Sequence, residues 1–420
     1  MVTLNKRDLH VSVSDPVATS MNFLNEVAGR YPQAISLAAG RPYEGFYETA
    51  DVSRYIELYV KHLEHKGIDA RRALMQYGRT NGQIHDLIAR LLATDEGIEV
   101  PPEAIAVTAG CQEAMVITLR GLCAGPDDVL LALSPCYVGI TGAARLLDIE
   151  VVPVPEHEGP QGVARAAAAV RARGRNPRAL YLVPDFSNPS GDCLDLTTRH
   201  ELLDVAEQSD LLILEDDPYG LFGLDDRPRP RLKALDTNRR VIYLGSFAKS
   251  CFPGARVGFF VADQAVVDES GRQTLLADEL SNIKSMLTVN TSPVSQAVVG
   301  GLLLESGCSL KVANRDKIAF YRHNLRGLLD SLERHMPPGI TWNTPAGGFF
   351  AVVQTPIVAD ESLLEVSAAD YGVLWTPMSF FYTDGAGDHS LRLACSYLDP
   401  ETIDSGVQRL ARLLSDKSAY

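Results

Sequence analysis

The chain has 420 residues, 46% hydrophobic and 22% charged, with a formal net charge of −14, enough for a large core and for two domains rather than one. Acidity without a clustered basic face excludes nucleic acid as a partner. No apolar run is long enough for a bilayer span or a secretory leader, so a cytoplasmic protein is expected.

In chain order, residues 1–45 read as an arm that packs with a small C-terminal domain, residues 46–305 as a large domain, and 306–420 as that small domain. Between about residues 105 and 262 come seven short apolar runs: "AIAVTAG", "DVLLALSP", "IEVVPVP", "RALYLVPD", "LLILEDD", "RVIYLGS" and "VGFFVAD". Their alternation with amphipathic segments predicts an α/β fold with a mainly parallel sheet, whose ligands collect beyond the carboxyl ends of the strands. Residues 292–336 carry helical periodicity. The later "GGFFAVVQT", "GVLWTPMSFF", "SLRLACSY" and "DPETIDSGVQRLARLL" predict a smaller α+β unit. Seven scattered cysteines without a C-x-x-C pair, and histidines such as His85 and His389 without partner spacing, predict neither a disulfide framework nor a metal site.

Three strand ends carry groups that make sense together. "VPDFSNPSGDCLD" offers Asn188, "LEDDPYG" offers Asp216 and Tyr219, and "GSFAKSCFPGAR" offers Ser246, Lys249 and Arg256. The chain has nine lysines against thirty arginines, so a lysine at the end of a buried strand stands out. A charge there is costly unless it is paired or reactive. A lysine for a Schiff base, a carboxylate, a phenol and a phosphate-binding cluster are what pyridoxal 5'-phosphate requires of a protein. "TAGCQEAMVITLRGL" reads as a strand, a glycine turn and a helix start, where the amides of Gly110, Cys111 and Gln112 can face a phosphate.

The order of "ISLAAGRP", "YGRTNGQIHDL", "VTAGCQEAM", "DFSNPSG", "EDDPYG", "SFAKSCFPGARVGF", "GGFF" and "SLRLACSY" resembles that of the fold type I pyridoxal-phosphate enzymes of the class I/II aminotransferase family. The resemblance is to the branch with 2-aminoadipate and kynurenine aminotransferases and the effector domains of MocR-type regulators. It implies a seven-stranded, mainly parallel sheet in the large domain and a Schiff base on Lys249, which then carries the proton between substrate and cofactor. It further implies that Asp216 faces the pyridine nitrogen, with Asp217 as the alternative, and that Tyr219 and Asn188 bond the ring's 3'-oxygen. Ser246 and Arg256 would complete the phosphate cradle and Tyr137 would stack on the ring. Tyr77 would reach the phosphate of a neighbouring subunit, implying a homodimer with shared active sites. Arg392 would grip the substrate α-carboxylate, with Asn188 beside it, and the segment at Gly40 would close over the substrate.

Three positions depart from the family pattern. Cys111 replaces a hydroxyl in the phosphate turn and is expected to weaken one contact. Met378 and Arg41 are expected near the substrate, Arg41 either reading a second anionic group or standing solvated on the arm. The activity expected is amino-group transfer between an L-α-amino acid and a 2-oxo acid. The same cofactor also supports β- or γ-replacement, cyclisation, decarboxylation or oxidation. A cofactor-sensing regulator is disfavoured by the acidic charge and by the absence of a DNA-binding segment ahead of the pattern.

Overall fold

The computed structural model describes residues 2–14 and 16–418. All seven apolar runs form strands of one sheet: β1 (Ile105–Thr108), β2 (Asp128–Ser134), β3 (Glu150–Pro155), β4 (Asn176–Leu182), β5 (Leu212–Asp217), β6 (Val241–Ser246) and β7 (Gly258–Val261). Their order is β1-β7-β6-β5-β4-β2-β3. Every pair is parallel except those made by β7, which runs antiparallel to both β1 and β6. The reversal follows from connection length: residues 247–257 are too few for a helical crossover, so the chain doubles back.

Both faces are covered, which is why β2 is buried at every position. On one face α1 (Cys111–Leu122), α2 (Val138–Leu146) and α3 (Leu276–Leu287) pack with Ala179, Tyr181, Leu214 and Leu244. On the other, Leu180, Leu182, Ile213 and Val241 meet Val163, Ala167 and Leu202 from the helices Gly159–Ala172 and Leu196–Gln208. The period-2 alternation of strands therefore decides which face each residue serves.

The C-terminal part adds an antiparallel sheet of β8 (Thr341–Trp342), β9 (Phe350–Gln354), β10 (Thr376–Pro377) and β11 (Ser390–Ala394), ordered β8-β9-β11-β10. The helices Arg315–His335 and Pro400–Ser418 pack on it through Leu325, Leu328, Leu332, Val407 and Leu410. Val27 and Leu37 of the N-terminal segment are buried in the same cluster, and Ile35–Ser36 pairs in parallel with Val373–Leu374. Among the described residues no helix is long and apolar enough to cross a membrane.

Candidate active site

A cavity of about 450 Å³ lies at the carboxyl ends of the large sheet. The loops after β1, β2, β4, β5 and β6 wall it with Cys111, Gln112, Tyr137, Asn188, Asp216, Tyr219, Ser246 and Lys249. Arg256 enters from the start of β7, Arg392 from β11, and Gly40 and Arg41 from the N-terminal segment. Twelve residues separated by up to 352 positions in sequence thus share one space.

Strand alternation separates the two aspartates of "EDDPY". Asp216 projects toward the cavity on the α1 face and is 3% exposed. Its Oδ2 accepts from the Tyr181 hydroxyl at 2.7 Å and its Oδ1 from the Cys111 thiol at 3.5 Å. Burial raises the carboxyl to about 6, while the Tyr181 and Cys111 hydrogen bonds hold it down. Asp217 points to the opposite face, where it pairs with Arg231 at 2.5 Å and accepts from the Tyr243 hydroxyl at 2.9 Å. The cavity-facing carboxylate is Asp216.

Lys249 sits in the turn that joins β6 to β7. Its amine donates to the Gly40 carbonyl at 2.6 Å and lies 5.8 Å from the centre of the Tyr219 ring. Burial, and then the charges of Arg392 and Arg256, lower it to about 8. A β-carbon on Gly40 would fall 2.4 Å from the Phe350 ring, so glycine is what lets the segment come so close.

Arg256 follows the turn Pro253–Ala255 with a left-handed backbone, φ 49°. Its guanidinium lies against Gly110, where an added β-carbon would stand 2.7 Å from it, and Gly110 has φ +81°. Glycine at the N-cap of α1 thus lets a cation sit on a helix N-terminus. One expectation is corrected: the Gly110 N–H donates to the Thr108 carbonyl at 2.8 Å. The tight turn consumes that donor, leaving Cys111 and Gln112 as the first free amides of the helix. The Ser246 hydroxyl, which also lines the cavity, accepts from the Ala248 amide at 3.2 Å.

Arg392 is held from several sides. Its guanidinium donates to Asn188 Oδ1 at 2.5 Å, the Ala38 carbonyl at 2.8 Å and the Thr376 hydroxyl at 3.2 Å. It lies 4.3 Å from the centre of the Phe350 ring and 4.8 Å from that of Phe381, a cation between two aromatic faces. Among the described residues its buried Nε has no hydrogen-bond partner. Burial lowers it to about 10, with Tyr219 and Tyr137 opposing, so it is cationic at neutral pH. Burial also pushes the Tyr137 phenol up to about 12 and that of Tyr219 higher still.

Two positions stand apart from the cavity. Tyr77 is 86% exposed, beside a separate surface hollow with Tyr59 and Gln83. Met378 is buried against Val352 and Phe381 and shapes the cavity from behind Phe381 rather than lining it. Arg41 does line it, with its guanidinium 4.7 Å from the Tyr397 ring centre and its carbonyl held by the Ser396 hydroxyl at 2.8 Å. Among the described residues no carboxylate pairs with it. Sequence reading missed Tyr181, placed in an apolar run as core. A phenol on a fully buried strand needs a hydrogen-bond partner, and that was the available signal.

These residues fit pyridoxal 5'-phosphate. An anionic end would find Arg256 and the α1 N-terminus, a basic ring nitrogen would find the buried Asp216 carboxylate, and a carbonyl carbon would find the Lys249 amine, lowered to about 8. A family model for aminotransferases of class I and II matches residues 44–410. An (S)-3,5-dihydroxyphenylglycine transaminase of Amycolatopsis orientalis is 49% identical over 98% of this chain and 95% of its own. A 2-aminoadipate transaminase of Thermus thermophilus is 31% identical over 91% of this chain and 90% of its own. A crystal structure of Pyrococcus horikoshii kynurenine aminotransferase, 26% identical, superposes with a TM-score of 0.83 over 99% of this chain and 97% of that one. The chain therefore belongs to the class I and II aminotransferases, enzymes that transfer amino groups with pyridoxal 5'-phosphate.

Proposed function

We propose that the amino donor is an arylglycine, with 3,5-dihydroxyphenylglycine as its model, and that the acceptor is a 2-oxo acid. The observation that carries this reading is the 49% identity, over 98% of the chain, to a relative named for that substrate. The cavity walls support it. Phe350, Phe381, Met115 and Val138 offer apolar surface to an aromatic ring, while Gln112 and Arg41 offer donors to ring hydroxyls.

When bound, pyridoxal phosphate supplies the electron-withdrawing ring that takes up the charge left at Cα and carries the amino group between substrates. In this reading Arg256, Ser246 and the amides of Cys111 and Gln112 hold its phosphate. Asp216 holds the ring nitrogen, Tyr219 and Asn188 the 3'-oxygen, and Tyr137 one ring face. Arg392 binds the substrate α-carboxylate through a planar two-point contact, and its stacking between Phe350 and Phe381 fixes that plane. The fixed carboxylate turns the Cα–H bond toward Lys249. The Lys249 amine, lowered to about 8 by burial and two arginines, takes that proton at Nζ and later returns it. Gly40 and Phe350 close the site against water.

The same reading includes a homodimer in which Tyr77 reaches the partner's phosphate site. Exposed apolar side chains support it: Met75 and Tyr77, and Met286, Leu287 and Val289, in segments close enough that a β-carbon on Gly78 would stand 3.8 Å from the Asn290 amide. It also includes an arm, large and small domain divided near residues 45 and 305, and a cytoplasmic location, for which the free state of all seven cysteines speaks.

The test is a panel of amino acids supplied to the cofactor-loaded enzyme with a 2-oxo acid acceptor, each oxo acid product quantified by mass spectrometry. Hydroxylated phenylglycines should exceed phenylalanine and 2-aminoadipate by at least about tenfold in kcat/KM, roughly the discrimination one well-matched contact gives. A preference for 2-aminoadipate or phenylalanine would overturn the substrate assignment.

A further inference from the structure

Asp216 is buried among neutral groups. Around it are Cys111 from α1, Cys136 and Tyr137 from the segment after β2, Tyr181 from β4 and Tyr219 from the turn after its own strand, while Asp217, next in that strand, is directed to the opposite face. The charge of Asp217 is paired on the far side with Arg231. Among the described residues no cation pairs with Asp216. A carboxylate without a cation in such surroundings favours its protonated form unless donors hold it.

Two donors do so. Tyr181 on β4 and Asp216 on β5 occupy the same face of adjacent parallel strands, since Tyr181 registers with Leu214 and Asp216 is two residues on. Among the described residues the 1%-exposed phenol has no other hydrogen-bond partner, and it spans to Oδ2 at 2.7 Å. The Cys111 thiol reaches Oδ1 at 3.5 Å, turned to the carboxylate rather than outward from the phosphate turn. Each oxygen thus has one neutral donor behind it and keeps lone pairs for the cavity.

We propose that Tyr181 is a positioning residue for the cofactor: its hydroxyl, assisted by the Cys111 thiol, keeps Asp216 ionised and aimed at the ring nitrogen. This rests on the reading of Asp216 as the ring-nitrogen partner. It assigns a function to a strand tyrosine that touches neither substrate nor cofactor, and it gives Cys111 a role the hydroxyl it replaces would share only if turned the same way.

The experiment strips the full chain of cofactor and titrates it with pyridoxal phosphate between pH 6 and 8.5, following absorbance. It compares Tyr181→Phe, Cys111→Ala and Asp216→Asn with the unaltered protein. The ratio of variant to unaltered dissociation constants cancels the titration of Lys249. For Tyr181→Phe that ratio should be about fivefold at pH 6, about threefold at pH 6.5 and close to unity at pH 8.5, because removing a donor to a charged group shifts its titration by about one unit. Cys111→Ala should move the same way by a smaller factor, and it keeps the test informative if Tyr181→Phe folds poorly. Asp216→Asn should weaken binding at every pH, its ratio rising by no more than about twofold from pH 6 to pH 8.5, the opposite sense to Tyr181→Phe. A ratio for Tyr181→Phe that is flat with pH, whatever its size, would make Tyr181 a packing residue and overturn the proposal. Unimpaired binding by Asp216→Asn would instead overturn the reading of Asp216 beneath it.

Discussion

The two faces of β5 present the same chemistry solved in opposite ways. On the far face Asp217 is closed: Arg231 pairs with it at 2.5 Å and also with Asp185 at 2.8 Å and Glu96 at 3.2 Å, and Tyr243 donates at 2.9 Å. Beside it Glu215 accepts from the amides of Leu232 and Lys233 at 2.7 and 2.8 Å, although burial still raises it to about 8. On the cavity face Asp216 has two neutral donors and no internal cation. A buried acid with its own cation is a structural device, whereas one with donors alone is prepared for a cation that arrives. Neighbouring residues of one strand thus divide into architecture and chemistry by the pleat alone.

Substitution tests the comparison most severely. Asp216→Asn should leave the fold intact and lower turnover by roughly 10²–10³, the loss expected when an oriented charge is removed from a reacting site. Asp217→Asn should keep the cavity and lower stability by about 3–5 kcal/mol, because Arg231 then loses a buried partner. Denaturant unfolding and steady-state rates on both variants decide, and an unstable Asp216→Asn beside a stable Asp217→Asn would reverse the assignment.

Stability of the cofactor-free protein sharpens the contrast. Asp216 is raised from 3.8 to about 6, so between those values the native state binds more protons than the unfolded one. Stability should therefore fall as pH rises from 4 to 6, by up to about 3 kcal/mol. Asp216→Asn should make that fall shallower, leaving the part that buried carboxyls such as Glu215 contribute. An unchanged slope in the variant would mean that Asp216 is not held in an unfavourable charge state.

Lys249 should show itself in the rate at which cofactor-free protein captures pyridoxal phosphate. In the proposed reading the neutral amine is the nucleophile, and it is lowered to about 8, so the rate should climb with pH and level off above that value. A rise continuing to pH 10 would show the amine to be unperturbed. The smallest effect belongs to Arg41→Ala, which should raise KM about 3–10-fold for hydroxylated or acidic amino acids and leave neutral ones unchanged, the size of one exposed hydrogen bond. Equal KM values for both classes would return Arg41 to the solvent.

Much of this was legible in the residues. Seven apolar runs between turn signals became the seven strands of one sheet, because a strand covered on both faces must be apolar throughout. What the runs did not disclose was the reversal of β7, set by the short connection that also carries Lys249. In the sequence Asp216 is preferred to Asp217 only through the resemblance to the family's spacing, because the residues alone do not show which face α1 covers. Tyr181 was hidden by composition: in "RALYLVPD" a phenol counts as one more core residue until the strand opposite is known. Met378 was legible as a departure but not as a core residue packed with Val352 and Phe381, since that cluster forms only in the folded small domain. The missing Gly110 donor is likewise a property of the turn, not of its residues.

The most direct measurement is to load the protein with pyridoxal phosphate, reduce it with borohydride and map the fixed cofactor by peptide mass spectrometry. With nine lysines in the chain, the expected result is an adduct on Lys249 alone, absent in Asp216→Ala at equal cofactor concentration and pH 7. An adduct spread over surface lysines, or one at Lys249 that is indifferent to Asp216, would contradict the assignment of the Asp216 face of β5 as the seat of the chemistry.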